Sequence, residues 1–213
     1  MTARVEEPAH PDAGSHFLRD CGDPVMAGLV ERIGTLDHEA RRRGRPDDAY
    51  GSLVRTIVGQ QLSTSAARTI YARLTALFGG RAPSPAELIA AEEHTLREVG
   101  LSRQKIRYLR DLATRVHGGE LDLHGLHELS DDEVSEKIMA VKGLGRWSAD
   151  MFLMFHLRRP DVLPVGDLGI RRAVERAYGL PGLPDEDDLQ TLAAPWRPQR
   201  TLACLYLWET LEE

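Results

Sequence analysis

The chain has 213 residues, 42% of them hydrophobic and 28% charged, which is the composition of a soluble globular protein with a substantial core. Its apolar runs are too short to cross a bilayer, and its N-terminus lacks the apolar stretch of a secretory signal, so we expect a cytoplasmic protein with no membrane partner. The net charge of −6 weighs mildly against nucleic acid as a partner, and two cysteines are too few for an iron–sulfur cluster.

The apolar spacing predicts helices along nearly the whole chain. Residues 1–15 show no periodicity and are expected to be disordered. From residue 16 onward no convincing alternating strand is found, and helical stripes recur. In chain order the clearest are Leu53, Val54, Ile57 and Val58; Ala67, Ile70, Leu74 and Leu77; Ile106, Leu109, Leu112, Ala113 and Val116; and Ile170, Ala173, Val174 and Ala177. We therefore predict an all-α fold of eight or more helices.

Local signals mark where several helices begin. Ser84 and Glu87 have the spacing of a capping box, with Pro85 at the first helical position. Ser130 and Glu133 have the same spacing. Both pairs predict helix N-termini.

Charge is distributed unevenly. Between Arg97 and Arg115 there are six basic and two acidic residues, while acidic residues collect elsewhere. This pattern is compatible with one basic face that binds nucleic acid, and equally with solvated charge scattered over helices.

The segment around Val141–Gly145 has the pattern of a helix-hairpin-helix. A helix over Asp131–Met139, a Gly-x-Gly turn and a second helix over Trp147–Leu157 are predicted. Such a turn directs backbone N–H groups at an anion, most naturally a phosphate. Glycine is expected twice, because the turn needs unusual dihedral angles and a Cβ would obstruct the phosphate. A glycine-rich connection between packed helices is the simpler alternative.

Other groups of the same turn are candidate ligands. Lys142 and Arg146 flank it and would add positive charge. The backbone carbonyls of Met139, Val141 and Leu144 are candidates to hold a monovalent cation that bridges to the phosphate.

Asp167 follows a Gly/Pro-rich loop, Leu163–Gly166, at the start of a predicted helix. The simplest interpretation is a helix N-cap. A reactive role is compatible with it, because the positive end of a helix keeps a carboxylate ionised.

Taken together, these segments resemble the helix-hairpin-helix DNA glycosylase superfamily, and within it the 3-methyladenine DNA glycosylase II family. The superfamily signature is this hairpin, a Gly/Pro-rich loop and a catalytic aspartate. Two further stretches, Leu53–Ser63 and Trp196–Thr201 continuing through Leu207 and Trp208, resemble the same family, and the similarity covers roughly residues 20–211.

The resemblance implies an all-α fold of two helical subdomains around a DNA-binding cleft. Residues 16–213 would form this domain. The N-terminal part would pack with the C-terminal helix, and roughly residues 60–165 would form the second subdomain. The larger bacterial relatives carry an extra N-terminal α/β domain, for which about fifty residues before the first shared motif are too few.

The resemblance also implies residue roles. Asp167 matches the catalytic aspartate, and Gln61 matches the wedge that fills the gap left by an everted nucleotide. Trp147 and Trp208 match aromatic residues of the base pocket, where Met151 replaces an aromatic found in some relatives. The residues expected to bind DNA are Gln60, Gln61, Leu62, Lys142, Gly143, Leu144, Gly145 and Arg146. No cofactor is expected.

The resemblance implies a monofunctional enzyme of base excision repair. Relatives with lyase activity carry a nucleophilic lysine where this chain has Trp147, so no strand cleavage is expected. The implied activity is hydrolysis of the N-glycosidic bond of alkylated purines in double-stranded DNA, by a monomer that associates with the nucleoid during repair. Three alternatives stay open: a glycosylase for another damaged or mismatched base, a non-catalytic DNA-binding protein, and an interaction protein without a DNA role.

Three histidines, His117, His124 and His127, lie close together in sequence near glycines. They could bind a metal, but a solvated loop is the favoured interpretation.

Overall fold

The computed structural model describes residues 13–36 and 45–211. Every regular element within those ranges is a helix and none is a strand, which confirms the predicted all-α class. The α-helices are α1 (Ala13–Asp20), α2 (Pro24–Ile33), α3 (Ala49–Gly59), α4 (Thr64–Leu77), α5 (Pro85–Ala90), α6 (Glu93–Glu98), α7 (Arg103–His117), α8 (Asp131–Met139), α9 (Arg146–Phe155), α10 (Leu168–Tyr178), α11 (Glu186–Leu192) and α12 (Arg200–Glu209). Short 3₁₀ helices occur at Leu126–Glu128 and Ala194–Trp196. Across the described ranges, none of these helices has the length and apolarity needed to span a membrane.

The chain divides into two compact units. The first contains the described residues before 37 and those from 158 to 211, and the second contains residues 45–157. The predicted limits of the second subdomain, about 60 and 165, therefore differ from the observed ones. Helix α3 belongs to the second unit because it packs on α4, α7 and α9, and the loop after residue 157 belongs to the first.

The predicted disordered segment, 1–15, extends too far at its C-terminal end. Helix α1 begins at Ala13, and the buried Ser15 Oγ accepts a hydrogen bond of 2.8 Å from Tyr206 Oη of α12. This contact spans 191 residues, which is why local periodicity did not reveal the helix. Residues 1–12 lie outside the described part of the chain.

A buried carboxylate organises the first unit. Asp23 caps α2 by accepting from Val25 N and Met26 N through Oδ1. Its Oδ2 accepts from Trp196 Nε1 at 2.8 Å and from Tyr178 Oη. Because Trp196 is fully buried, this motif residue serves the core and links the N-terminal helices to the C-terminal part of the same unit.

The second unit has its core on α3 and α7. The predicted stripe Leu53, Val54, Ile57 and Val58 is fully buried. The prediction of a buried apolar stripe on α4 is only partly correct, since Leu74 is buried and Leu77 is 45% exposed. Leu77 is the last residue of that helix, and among the described residues none covers its side chain fully. Both predicted capping boxes, at Ser84 and Ser130, are present and begin α5 and α8.

Candidate active site and nucleic-acid interface

The loop before α10 is fastened to the start of α12 within the first unit. Thr201 Oγ1 donates to Arg159 O at 2.7 Å and accepts from Val162 N at 3.1 Å. Thr201 N donates to Pro160 O at 3.0 Å. These three bonds, together with the burial of Leu163 against the core, give the loop a defined path to Asp167.

An ion pair reinforces this attachment. Arg200 Nε lies 2.6 Å from Asp161 Oδ1, and Arg200 Nη2 donates to Asp161 Oδ2 at 3.0 Å. Arg197 Nη1 donates to the same Oδ2 at 3.0 Å. The Trp196–Thr201 motif therefore supports the loop that carries Asp167, a role that sequence reasoning did not assign to it.

Asp167 is half-buried and caps α10, so the predicted N-cap is confirmed. Its Oδ1 accepts from Ile170 N at 2.8 Å and from Trp208 Nε1 at 3.2 Å, and its backbone N donates to Pro164 O at 2.9 Å. One oxygen of the carboxylate is thus oriented by a helix N-terminus and by an indole. We predicted Trp208 as a base-pocket residue; the structure adds that its N–H orients the carboxylate.

Gly169 makes this arrangement sterically feasible. A Cβ at this position would lie 2.9 Å from Asp167 Oδ1 and 3.2 Å from Trp208 Nε1. Sequence reasoning missed Gly169. The signal that could have found it was a glycine in the first turn of a helix, where it is a poor helix former without a local reason to be there.

The hairpin in the second unit has the predicted layout, with a correction to its second helix. Helix α8 spans the predicted Asp131–Met139, whereas α9 spans Arg146–Phe155 rather than 147–157. The helix starts one residue earlier because Gly145 is its N-cap. It ends at Phe155, and His156, with φ of −98° and ψ of −57°, is its C-cap.

The two hairpin glycines have different reasons to be glycine. Gly143 has φ of +83°, and a Cβ there would overlap the ring of Tyr108. Gly145 is extended, with φ of −108° and ψ of −172°, so the predicted need for unusual dihedral angles is wrong for this residue. A Cβ on Gly145 would meet no described atom within 4 Å, which leaves the space beyond the N-terminus of α9 open.

The N–H groups of the turn divide into two sets. Lys142 N donates to Asp111 Oδ2 at 3.0 Å, and Leu144 N donates to Val141 O at 3.1 Å. Among the described residues, none accepts a hydrogen bond from the N–H of Gly143 or Gly145, and α9 has no side-chain cap. An anion bound at the N-terminus of α9 would satisfy these donors.

The basic residues that flank the turn are paired with carboxylates of their own unit. Lys142 Nζ lies 3.4 Å from Asp111 Oδ1. Arg146 Nε donates to Asp150 Oδ1 at 2.9 Å, a bond that does not use the two Nη groups of the guanidinium. Asp150 is 1% exposed, and burial raises the pKa of its carboxyl while the bond from Arg146 works in the opposite direction.

The predicted cation ligands are the carbonyls of Met139, Val141 and Leu144. The carbonyl of Val141 also accepts the hydrogen bond from Leu144 N, and a carbonyl oxygen has a second lone pair for a cation. The cation site stays a prediction. In the described residues no three or more His, Cys, Asp or Glu side chains come together to hold a metal, and His117, His124 and His127 do not form such a group.

Trp147 is in the first turn of α9, 40% exposed, and lines two cavities of the second unit. The first cavity has a volume of about 300 Å³ and is also lined by Met151, Phe155 and Leu62. Arg45 lies over the ring of Phe155, with Cζ 4.0 Å from its centroid. The structure thus brings Trp147 and Met151 together on one cavity, and their role in a base pocket stays a prediction. Asp167 and Trp208 belong to the other unit.

The second cavity, of about 460 Å³, runs along the hairpin and the loop after α3. Its lining includes Gln60, Gln61, Tyr108, Gly143 and Gly145. Gln61, the predicted wedge, is exposed and has a left-handed φ of +57°. Leu62 is also exposed, whereas the side chain of Gln60 donates to Gly143 O at 2.7 Å.

Comparison with known proteins assigns the chain to a family. Residues 54–198 match the HhH-GPD superfamily of base excision DNA repair proteins. DNA-3-methyladenine glycosylase 1 of Schizosaccharomyces pombe is 32% identical over 184 residues, which cover 85% of this chain and 80% of that protein. With YfjP of Bacillus subtilis the chain shares 30% identity over 169 residues, 76% of this chain, and spans 59% of the length of that relative.

Solved structures agree with the sequence relatives. The Schizosaccharomyces pombe 3-methyladenine DNA glycosylase, in complex with abasic DNA, matches with a TM-score of 0.85 and 30% identity, covering 94% of this chain and 97% of that one. The chain belongs to the HhH-GPD superfamily of base excision DNA repair proteins. The resemblance predicted from the sequence, including that to the 3-methyladenine branch, is confirmed.

Proposed function

We propose that this protein is a monomeric, monofunctional DNA glycosylase that removes alkylated purines of the 3-methyladenine type from double-stranded DNA. The observation that carries the proposal is the half-buried carboxylate of Asp167, held by Ile170 N and Trp208 Nε1 at the start of α10. The names of the relatives support the substrate class.

DNA binding exposes the damaged nucleotide. A base inside a duplex cannot present its glycosidic bond, so the nucleotide must leave the stack at a cost of a few kcal/mol. The N–H groups of Gly143 and Gly145 bind the backbone, and Gln61 fills the vacated space. A base alkylated at a ring nitrogen is electron-poor, and the exposed indole of Trp147 stacks on it.

The chemical step is hydrolysis at C1′ of the deoxyribose. The C1′–N bond breaks with both electrons leaving on the base, which turns a cationic alkylated base into a neutral leaving group. The oxygen of a water forms the new bond to C1′, and its proton passes to solvent by way of Asp167. The carboxylate also stabilises the positive charge that develops on the sugar.

The decisive test is Asp167→Asn, measured as single-turnover release of 3-methyladenine from a duplex. Asparagine still caps a helix and still accepts from Trp208, so the fold and DNA binding should persist while base release falls about a hundredfold or more. The matched control is Asp185→Asn, which makes the same change at the N-cap of α11 and should leave release intact. Retained excision by Asp167→Asn rejects the proposal.

Two measurements test the remaining parts. Borohydride should trap no covalent adduct between the native protein and damaged DNA, because no amine stands at position 147; a trapped adduct contradicts the monofunctional assignment. A panel of duplexes containing alkylated purine, uracil or 8-oxoguanine should show release of the alkylated purine at the highest rate. Sedimentation of the free protein tests its oligomeric state, and a monomer is expected.

A further inference from the structure

Three side chains outside the hairpin contact its turn within the second unit. Gln60 follows α3, and Tyr108 and Asp111 lie on α7; we call these three residues the hairpin supports. We propose that they are positioning residues, which hold the turn in its phosphate-binding conformation and join it to the wedge residue Gln61. The inference rests on the DNA-binding role of the hairpin in the proposed function.

Asp111 fixes the first peptide of the turn. Its carboxylate is 15% exposed and accepts from Lys142 N at 3.0 Å and from Arg115 Nε at 3.0 Å. Burial alone would raise the pKa of Asp111, but these hydrogen bonds outweigh it and lower the pKa, so the acceptor stays ionised at neutral pH. The N–H of Lys142 is thereby committed to α7, and the donors left for a phosphate are those of Gly143 and Gly145.

Tyr108 limits where the turn can move. Its ring occupies the place that a side chain on Gly143 would need, so the backbone of Gly143 packs directly on the ring. Gln104 Nε2 donates to Tyr108 Oη one turn away on the same helix, which restrains the orientation of the ring. A turn packed in this way cannot relax toward α7 without displacing an aromatic side chain.

Gln60 joins the turn to the wedge. Its Nε2 donates to Gly143 O at 2.7 Å and lies 3.5 Å from Ser148 Oγ in the first turn of α9. The next residue, Gln61, has a left-handed φ of +57°, a conformation that costs a non-glycine residue about 1 kcal/mol or more and persists only where the surroundings impose it. The bond from Gln60 is such a restraint, so the phosphate contact and the wedge are held as one element.

The test measures binding of undamaged duplex at fixed salt concentration for Gln60→Ala and Tyr108→Leu, at a temperature where each variant is folded. Each is expected to weaken binding about tenfold, because misplaced donors lose most of their contact. Tyr108→Phe keeps the ring and should restore the affinity, and Thr114→Ala, an exposed position on α7, is the matched control.

A purely structural role would lower the melting temperature and leave the DNA affinity of the folded protein unchanged, and that outcome overturns the proposal. If Tyr108→Leu does not fold, Gln60→Ala still decides, because the Gln60 side chain lies near the surface. The link to the wedge predicts that Gln61→Ala slows excision less in the Gln60→Ala background than in the native protein; equal effects contradict the link. Since binding of undamaged DNA does not depend on Asp167, failure here leaves the proposed chemistry standing, and the reverse also holds.

Discussion

Helices α9 and α10 both begin at a turn that contains predicted functional residues, but their N-termini differ. Helix α10 begins at Asp167, whose own carboxylate accepts from Ile170 N. Helix α9 begins at Gly145, which offers no side-chain cap. Aspartate or serine caps α2, α3, α4, α7 and α8 in the usual way, so the start of α9 contrasts with several helices of the same protein.

The contrast shows two uses of one physical property. The N-terminus of a helix carries partial positive charge and donors without acceptors. In α10 the protein supplies the anion itself, because the carboxylate of Asp167 accepts from Ile170 N and is oriented by that bond. In α9 glycine leaves the donors without an acceptor among the described residues, and in the proposed function a DNA phosphate accepts from them.

The largest effect is expected from Gly145→Asp, which adds a side-chain cap to the N-terminus of α9. The extended backbone of Gly145 suits an N-cap, and a Cβ added there would meet no described atom within 4 Å. The fold should gain a few tenths of a kcal/mol, whereas DNA affinity should fall about a hundredfold, because the new carboxylate takes the donors and repels phosphate. Titration of duplex DNA at fixed salt, with thermal melting, measures both.

Gly145→Ser is the control for this variant. Serine caps the helix without a charge, so its DNA affinity should fall between that of the native protein and that of Gly145→Asp. Equal affinity of all three proteins would show that the open terminus of α9 does not bind phosphate.

An intermediate effect is expected from Gly169→Ala near the N-terminus of α10, which Asp167 caps. The added methyl group would press on Asp167 Oδ1 and on Trp208 Nε1, so excision in single turnover should slow about tenfold. DNA affinity should not change.

Gly28→Ala in α2, where a Cβ meets no described atom within 4 Å, is the matched control. It should stabilise the fold by up to about 1 kcal/mol without affecting excision. Normal excision by Gly169→Ala would show that Asp167 tolerates displacement.

The smallest effect is expected from changing Asp150, the carboxylate that lies one turn inside α9. Burial raises the pKa of Asp150, so its charged form costs stability at pH values above that raised pKa. Asp150→Asn should therefore melt a few degrees higher than the native protein at pH 8, and the difference should shrink as the pH falls through the folded-state pKa.

Asp111 should show the opposite dependence of stability on pH. Its pKa is lowered in the folded state, so it contributes stability at neutral pH that is lost as the pH falls through that lowered value. Asp111→Asn should melt lower than the native protein at neutral pH, with the gap closing in acid. Parallel pH profiles for the two variants would contradict both assignments.

Much of the candidate site was predictable from short segments. The hairpin, the N-cap at Asp167 and both capping boxes all depend on residues a few positions apart. The limits of the two units were not predictable, because α3 joins the second unit through contacts with α7 and α9 rather than through any signal of its own. Nor was the exposure of Leu77, which depends on whether another element covers it.

The amino-acid sequence by itself determined the class of fold, the hairpin, the position of the acidic residue and the family. These features are local: hydrogen bonds and apolar stripes within one or two helical turns depend only on residue types at fixed spacing. The tertiary structure alone decided that Trp208 donates to Asp167 across 41 residues and Gln60 to the hairpin across 83. Which side chains meet over such distances depends on how whole helices pack, and no short pattern encodes that packing.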